Sequence, residues 1–117
     1  MAETGVRRAK MVNLKMRLGD LAVILIVEIR LPVFMPLPTP ESTRRSIRLQ
    51  VHPGANSLFL PADLQLAVVD ASGNVFLQAC SRSIDNYIQL QFAGSVGEIF
   101  NVQVNWKGTN FIESFVI

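Results

Sequence analysis

The sequence predicts an all-β fold: an antiparallel β-sandwich of Ig-like or Greek-key type, with about eight or nine strands in a single domain over residues 1–117. Three observations predict it. Apolar and polar residues alternate with period two in segment after segment, the pattern of strands with one wet face. Turn-forming Gly, Pro, Asn and Asp recur between those segments at short intervals. No stretch of helical length carries a 3.6-residue apolar period. Two sheets packed face to face hide the apolar sides of such strands.

The elements follow in order. In Lys10–Leu18, Val12, Leu14, Met16 and Leu18 share one face, with Asn13, Lys15 and Arg17 opposite, and Gly19-Asp20 turns the chain. Leu21–Leu31 has β-branched residues on both faces, which predicts a central strand covered on both sides along at least its first half. Four of the six prolines then fall between Pro32 and Thr43. Proline cannot donate to a ladder, so this segment is a loop or hugs an edge. Ser46–His52 alternates again, and Pro53-Gly54-Ala55-Asn56 interrupts it. Leu58–Leu60 reads as a short strand stopped by Pro61, and Leu64–Asp70 as the next. The turn Ala71-Ser72-Gly73-Asn74 leads into Val75–Arg82. Ile88, Leu90 and Phe92 face inward on the following strand, before a turn at Ala93–Gly97. Ile99–Trp106 carries Phe100, Val102, Val104 and Trp106 toward the core, and Lys107–Asn110 turns into Phe111–Ile117.

Half of the residues are hydrophobic and 17% are charged. The mean hydropathy is +0.33, rich for a domain of this size. The charge is unevenly placed: residues 1–50 hold nine Lys/Arg and four Asp/Glu, residues 51–117 two and five. A basic first half is compatible with phosphate or an acidic partner, although like-charged runs commonly just face water. Nucleic acid is not expected as a partner, because the basic residues gather near the start while all but one of the nine aromatics lie from Phe59 onward. No secretion signal is present, and Leu21–Leu37 is a poor spanning helix, interrupted by Glu28, Arg30 and prolines. A membrane role is therefore not expected. Cys80 is the single cysteine, which fits a reducing, cytoplasmic setting and reads as a small buried hydrophobe.

The residues offer little for chemistry. His52, the only histidine, lies at a strand end on the polar face. One His without a second His or Cys partner does not build an ordinary zinc site. Asp20, Asp63, Asp70 and Asp85 sit at strand ends, where carboxylates form turns as readily as they gather calcium. Ser81 and Ser83 have no partnered base, and no glycine-rich phosphate loop precedes a helix. No catalytic, cofactor or metal site is expected. The candidate partner-contact residues are Val33, Phe34, Met35 and Leu37 in the proline-rich loop, with Arg44 and Arg45 after it. That loop is greasy for a surface segment, so it either covers a sheet edge or meets another protein.

Read end to end, the chain resembles a cyanobacterial family known only as domain of unknown function eighteen twenty-two. The resemblance is carried by Arg7 to Leu14, Gln50-Val51-His52-Pro53, Leu60-Pro61, Asp85 to Leu90, Gly97-Glu98 with Phe100 to Val104, and the closing Glu113 to Ile117. The segment from Leu31 to Ser46 is longer and richer in proline than the family pattern. The resemblance implies a C-terminal domain of a longer architecture and supplies no activity. The expected function is a non-catalytic protein-interaction or accessory module, binding a protein partner or itself. The alternative is a ligand-binding sandwich for polyanion, carbohydrate or nucleic acid that uses the basic first half.

Overall fold

The computed structural model describes residues 7–31 and 43–117. Among these residues eight strands form two four-stranded antiparallel sheets, and there is no helix. The strands are β1 (Arg7–Leu18), β2 (Leu21–Leu31), β3 (Arg44–Pro53), β4 (Gln65–Val69), β5 (Val75–Cys80), β6 (Ile88–Ser95), β7 (Ile99–Trp106) and β8 (Thr109–Val116). The first sheet has the order β1-β2-β3-β6 and the second β5-β4-β7-β8.

Three hairpins are local, β1–β2, β4–β5 and β7–β8. At the β7–β8 turn Lys107 and Gly108 both take positive φ, 50° and 80°. Two such residues give a tight turn whose twist matches the strands it joins. The chain therefore turns over two residues rather than the four expected from Lys107–Asn110. β3 also pairs with its predecessor β2, while the β3–β4, β5–β6 and β6–β7 connections cross between sheets, so β3 pairs with β6 and β4 with β7. This interlocking of non-consecutive strands is a Greek-key arrangement.

The inward faces alternate as read from the sequence. Val23, Leu25, Val27 and Ile29 of β2 meet Ile47, Leu49 and Val51 of β3 and Ile88 and Leu90 of β6. Across the interior lie Leu66 and Val68 of β4, Phe100, Val102 and Val104 of β7, and Phe115 of β8. Phe76, Phe92, Phe100 and Phe115 form a chain of ring contacts with centroids 5.2–5.5 Å apart. Offset and edge-on ring pairs of this kind add to the stabilisation from burial alone.

Several expectations are corrected. Leu58–Leu60 is not a strand: Leu60 is buried, while Leu58 and Phe59 are exposed. One backbone bond, Leu60 N to Asp85 O at 2.8 Å, anchors Leu60 as a single plug. Pro61 follows without an amide hydrogen to extend a ladder. Ala93 and Gly94 belong to β6, which runs to Ser95 because Arg44–Ser46 of β3 pairs with it there. The first half of β2 is covered unequally: its core side is sealed, while Ala22, Ile24 and Ile26 on the other side are half-buried. Trp106 keeps the inward direction but is half-buried, with its indole Nε1 donating to Ala62 O at 3.4 Å.

Candidate functional site

The two sheets present outer faces of opposite character. On the first sheet the outward set is Met11, Asn13, Lys15 and Arg17 of β1; Ala22, Ile24, Ile26, Glu28 and Arg30 of β2; Arg44, Ser46, Arg48, Gln50 and His52 of β3; and Gln89 and Gln91 of β6. Among the described residues this face carries five Lys/Arg against one acid. That acid is buried: Glu28 is only 3% exposed. Its Oε1 accepts from both Arg48 Nη2 at 2.6 Å and Nε at 3.1 Å, two charge-assisted bonds that converge on one carboxylate oxygen.

His52 sits near the end of β3 on its outward face, as read from the sequence, and its ring stacks on Tyr87 with centroids 5.2 Å apart and planes 17° apart. Its Nε2 lies 3.0 Å from Gln50 Oε1, while Gln50 Nε2 donates to Gln89 Oε1 at 2.7 Å. The β3–β6 pairing of Val51 with Ile88 brings Tyr87 beside His52, on the face that also holds Lys15 and Arg17.

On the second sheet the outward set is Gln65, Ala67 and Val69; Gln78 and Cys80; Ile99, Asn101, Gln103 and Asn105; and Asn110, Ile112, Ser114 and Val116. None of these described residues is charged. Ile99, Ile112 and Val116 are each more than half exposed. The nearest charged groups are Glu113, exposed within β8 on the opposite parity, and Asp70, Glu98 and Lys107, which lie in turns at the ends of the strands. Cys80 belongs to this face and is exposed, contrary to the buried position expected. Its neighbours Leu77 and Ala79 take the inner side of β5, which sends Gln78 and Cys80 outward.

The acids serve turns. Asp70 Oδ1 accepts from the amides of Ser72 and Asn74, both at 2.9 Å. Asp85 is bonded by the Arg82 backbone amide at 2.8 Å and by its guanidinium at 3.0 Å, and these bonds hold its carboxyl below the ordinary value of 3.8. No three His, Cys, Asp or Glu residues cluster as metal ligands among the described residues. Ser81, paired with Ser83 in the sequence reading, is a buried tie: its Oγ donates to Pro61 O at 2.5 Å and accepts from Leu64 N at 3.0 Å.

Of the candidate contact residues, Val33, Phe34, Met35 and Leu37 lie outside the described residues. Arg44 and Arg45 open β3; Arg44 is exposed, and the Arg45 guanidinium donates to the Arg44 carbonyl at 2.9 Å. Nothing groups these two with either face's apolar residues.

The class is thus a two-sheet antiparallel sandwich with one cationic and one uncharged outer face. The family model described as Protein of unknown function (DUF1822) matches residues 1–116, and the chain belongs to that family. No curated protein and no solved structure matches it.

Proposed function

We propose that this chain is a non-catalytic protein-interaction module that works through the outer face of the second sheet, with a second copy as the occupant. The observation that carries the reading is the absence of charge across the described outward residues of β5, β4, β7 and β8, with Ile99, Ile112 and Val116 exposed among amides. An exposed face depleted of charge is the composition of an interface centre, not of a solvated surface. Two copies approaching through these residues bring no charged side chain of the face together, since Glu113 of β8 has the opposite parity. Strands of five, six, eight and eight residues, rising about 3.4 Å per residue and set about 4.8 Å apart, present roughly 440 Å² per copy. About 900 Å² in total falls just under the roughly 1,000 Å² of a stable specific interface, so the association is weak and reversible.

Sedimentation equilibrium tests this. The wild type is expected to dimerise in the high-micromolar range, and Ile112→Lys to remain monomeric at the same concentrations. A monomeric wild type, or a dimer indifferent to Ile112→Lys, overturns the reading. A reducing, cytoplasmic setting fits a module that leaves a free Cys80 thiol exposed on this face. The family resemblance supports a cyanobacterial source and a place at the C-terminal end of a longer protein.

A further inference from the structure

Among the cations whose side chains are described, Arg48 is held by Glu28, Arg82 by Asp85, Arg45 by a backbone carbonyl, and Lys107 lies over the Trp106 ring. Lys15 and Arg17 are exposed, and, like Lys10, Arg30 and Arg44, neither has a side chain in an ion pair or hydrogen bond with a described residue. They stand two residues apart on β1, the spacing that places two side chains on one side of a strand. They flank a cleft of about 450 Å³, also lined by Ala22, Ile24, Gly54 and Ala55. The volume lies in the range of small-ligand pockets.

The cleft is a product of the fold. Register sets Arg17 opposite Ala22 and Lys15 opposite Ile24, so two cations border a floor of one small and one branched apolar residue. The far wall is the turn after β3, drawn in by a bond from Gly54 N to Ala22 O at 2.9 Å. Only glycine permits that approach: a Cβ on Gly54 would lie 2.9 Å from Ala22 O and 3.0 Å from Ala22 C. His52, stacked on Tyr87, is the β3 partner of Ile24 and borders the same region. Among the described residues no acidic side chain lines the cleft.

We propose that this cleft binds a small organic phosphate monoester, its dianion held between Lys15 and Arg17 and its carbon skeleton over Ala22 and Ile24. Two cations with no neutralising acid match a doubly charged group better than a single carboxylate. The apolar floor favours an organic ester over free phosphate. This site is on the opposite sheet from the proposed protein contact and stands or falls separately.

The test is an amide-resolved NMR titration of the wild-type chain with phenyl phosphate, inorganic phosphate and benzoate. Phenyl phosphate is expected to give saturable shifts confined to Ala22, Ile24, Gly54, Ala55 and their neighbours. It binds more tightly than inorganic phosphate, which separates an ester site from a free-phosphate site, and more tightly than benzoate. Lys15→Gln and Arg17→Gln each weaken it roughly fivefold, the scale of one exposed charge contact. Arg82→Gln, which removes one charge away from the cleft, leaves binding unchanged. Shifts spread over all exposed Lys and Arg residues, equal binding of benzoate, or indifference to both cleft substitutions overturns the proposal.

Discussion

Ser81→Ala is the substitution expected to cost this fold most for the atoms removed. One hydroxyl ties the start of β4 to the end of β5: Oγ donates to Pro61 O and accepts from Leu64 N, and the residue is 3% exposed. Backbone bonds complete the junction, Ser81 N to Leu64 O at 2.8 Å and Asp63 N to Ser81 O at 2.9 Å. Alanine removes the hydroxyl and leaves the Leu64 amide, on a fully buried residue, without this acceptor. An orphaned buried donor costs about 1–3 kcal/mol, and the lost bond to Pro61 adds about 1 kcal/mol, so about 2–4 kcal/mol is expected. With an unfolding entropy of roughly 2.1 cal/mol/K per residue, each kcal/mol moves Tm by about 4 °C in a chain of 117 residues. Thermal unfolding followed by circular dichroism should therefore show Tm lower by about 8–16 °C, taking the per-residue entropy above. Ser83→Ala, at an exposed position, should shift it by less than about 2 °C. Equal effects of the two substitutions, or a Ser81→Ala shift within about 2 °C, would refute the junction argument.

Three further outcomes are expected. Glu28→Ala should destabilise by about 2–3 kcal/mol in urea unfolding, because it strips Arg48 of its carboxylate partner, while Glu28→Leu combined with Arg48→Met recovers part of that loss. Asp85 should titrate below 3.8 by carboxyl NMR and move up in Arg82→Ala. Its folded value is depressed, so the stabilisation from this pair is present above the ordinary value and lost as pH falls through the lowered one. Cys80 should react with a thiol reagent in the native protein at a rate unchanged by sub-denaturing urea; reaction only on unfolding would contradict its outward position.

What the sequence revealed and what it concealed divide along the range of the interaction involved. Leu21–Leu31 and Ile99–Trp106 were legible to the residue, because alternation stops where Gly19-Asp20, Gly97-Glu98 and Lys107-Gly108 turn the chain. The direction of Cys80 was also legible and was misread: Leu77 and Ala79 set the inner parity, which places Cys80 with Gln78. The β3–β6 and β4–β7 pairings were not legible, since strict alternation specifies a face and not a partner. Everything that depends on those pairings was hidden with them. Tyr87 meets His52 only through β3–β6, and the cleft exists only because Gly54 returns to Ala22 across β2. The uncharged outer face needed no motif, only the register that aligns Ala67, Gln103 and Ile112 across three strands. Ser81 had no signal to separate it from Ser83.

The most direct test of the account is a concentration series of amide spectra from the unmodified chain. Dilution from millimolar to micromolar should move resonances of Gln103, Asn105, Asn110, Ile112 and Ser114 together along one binding curve, while those of β1, β2 and β3 stay still. Concentration-independent spectra, or movements centred on Lys15, Ile24 and Arg48, would contradict it.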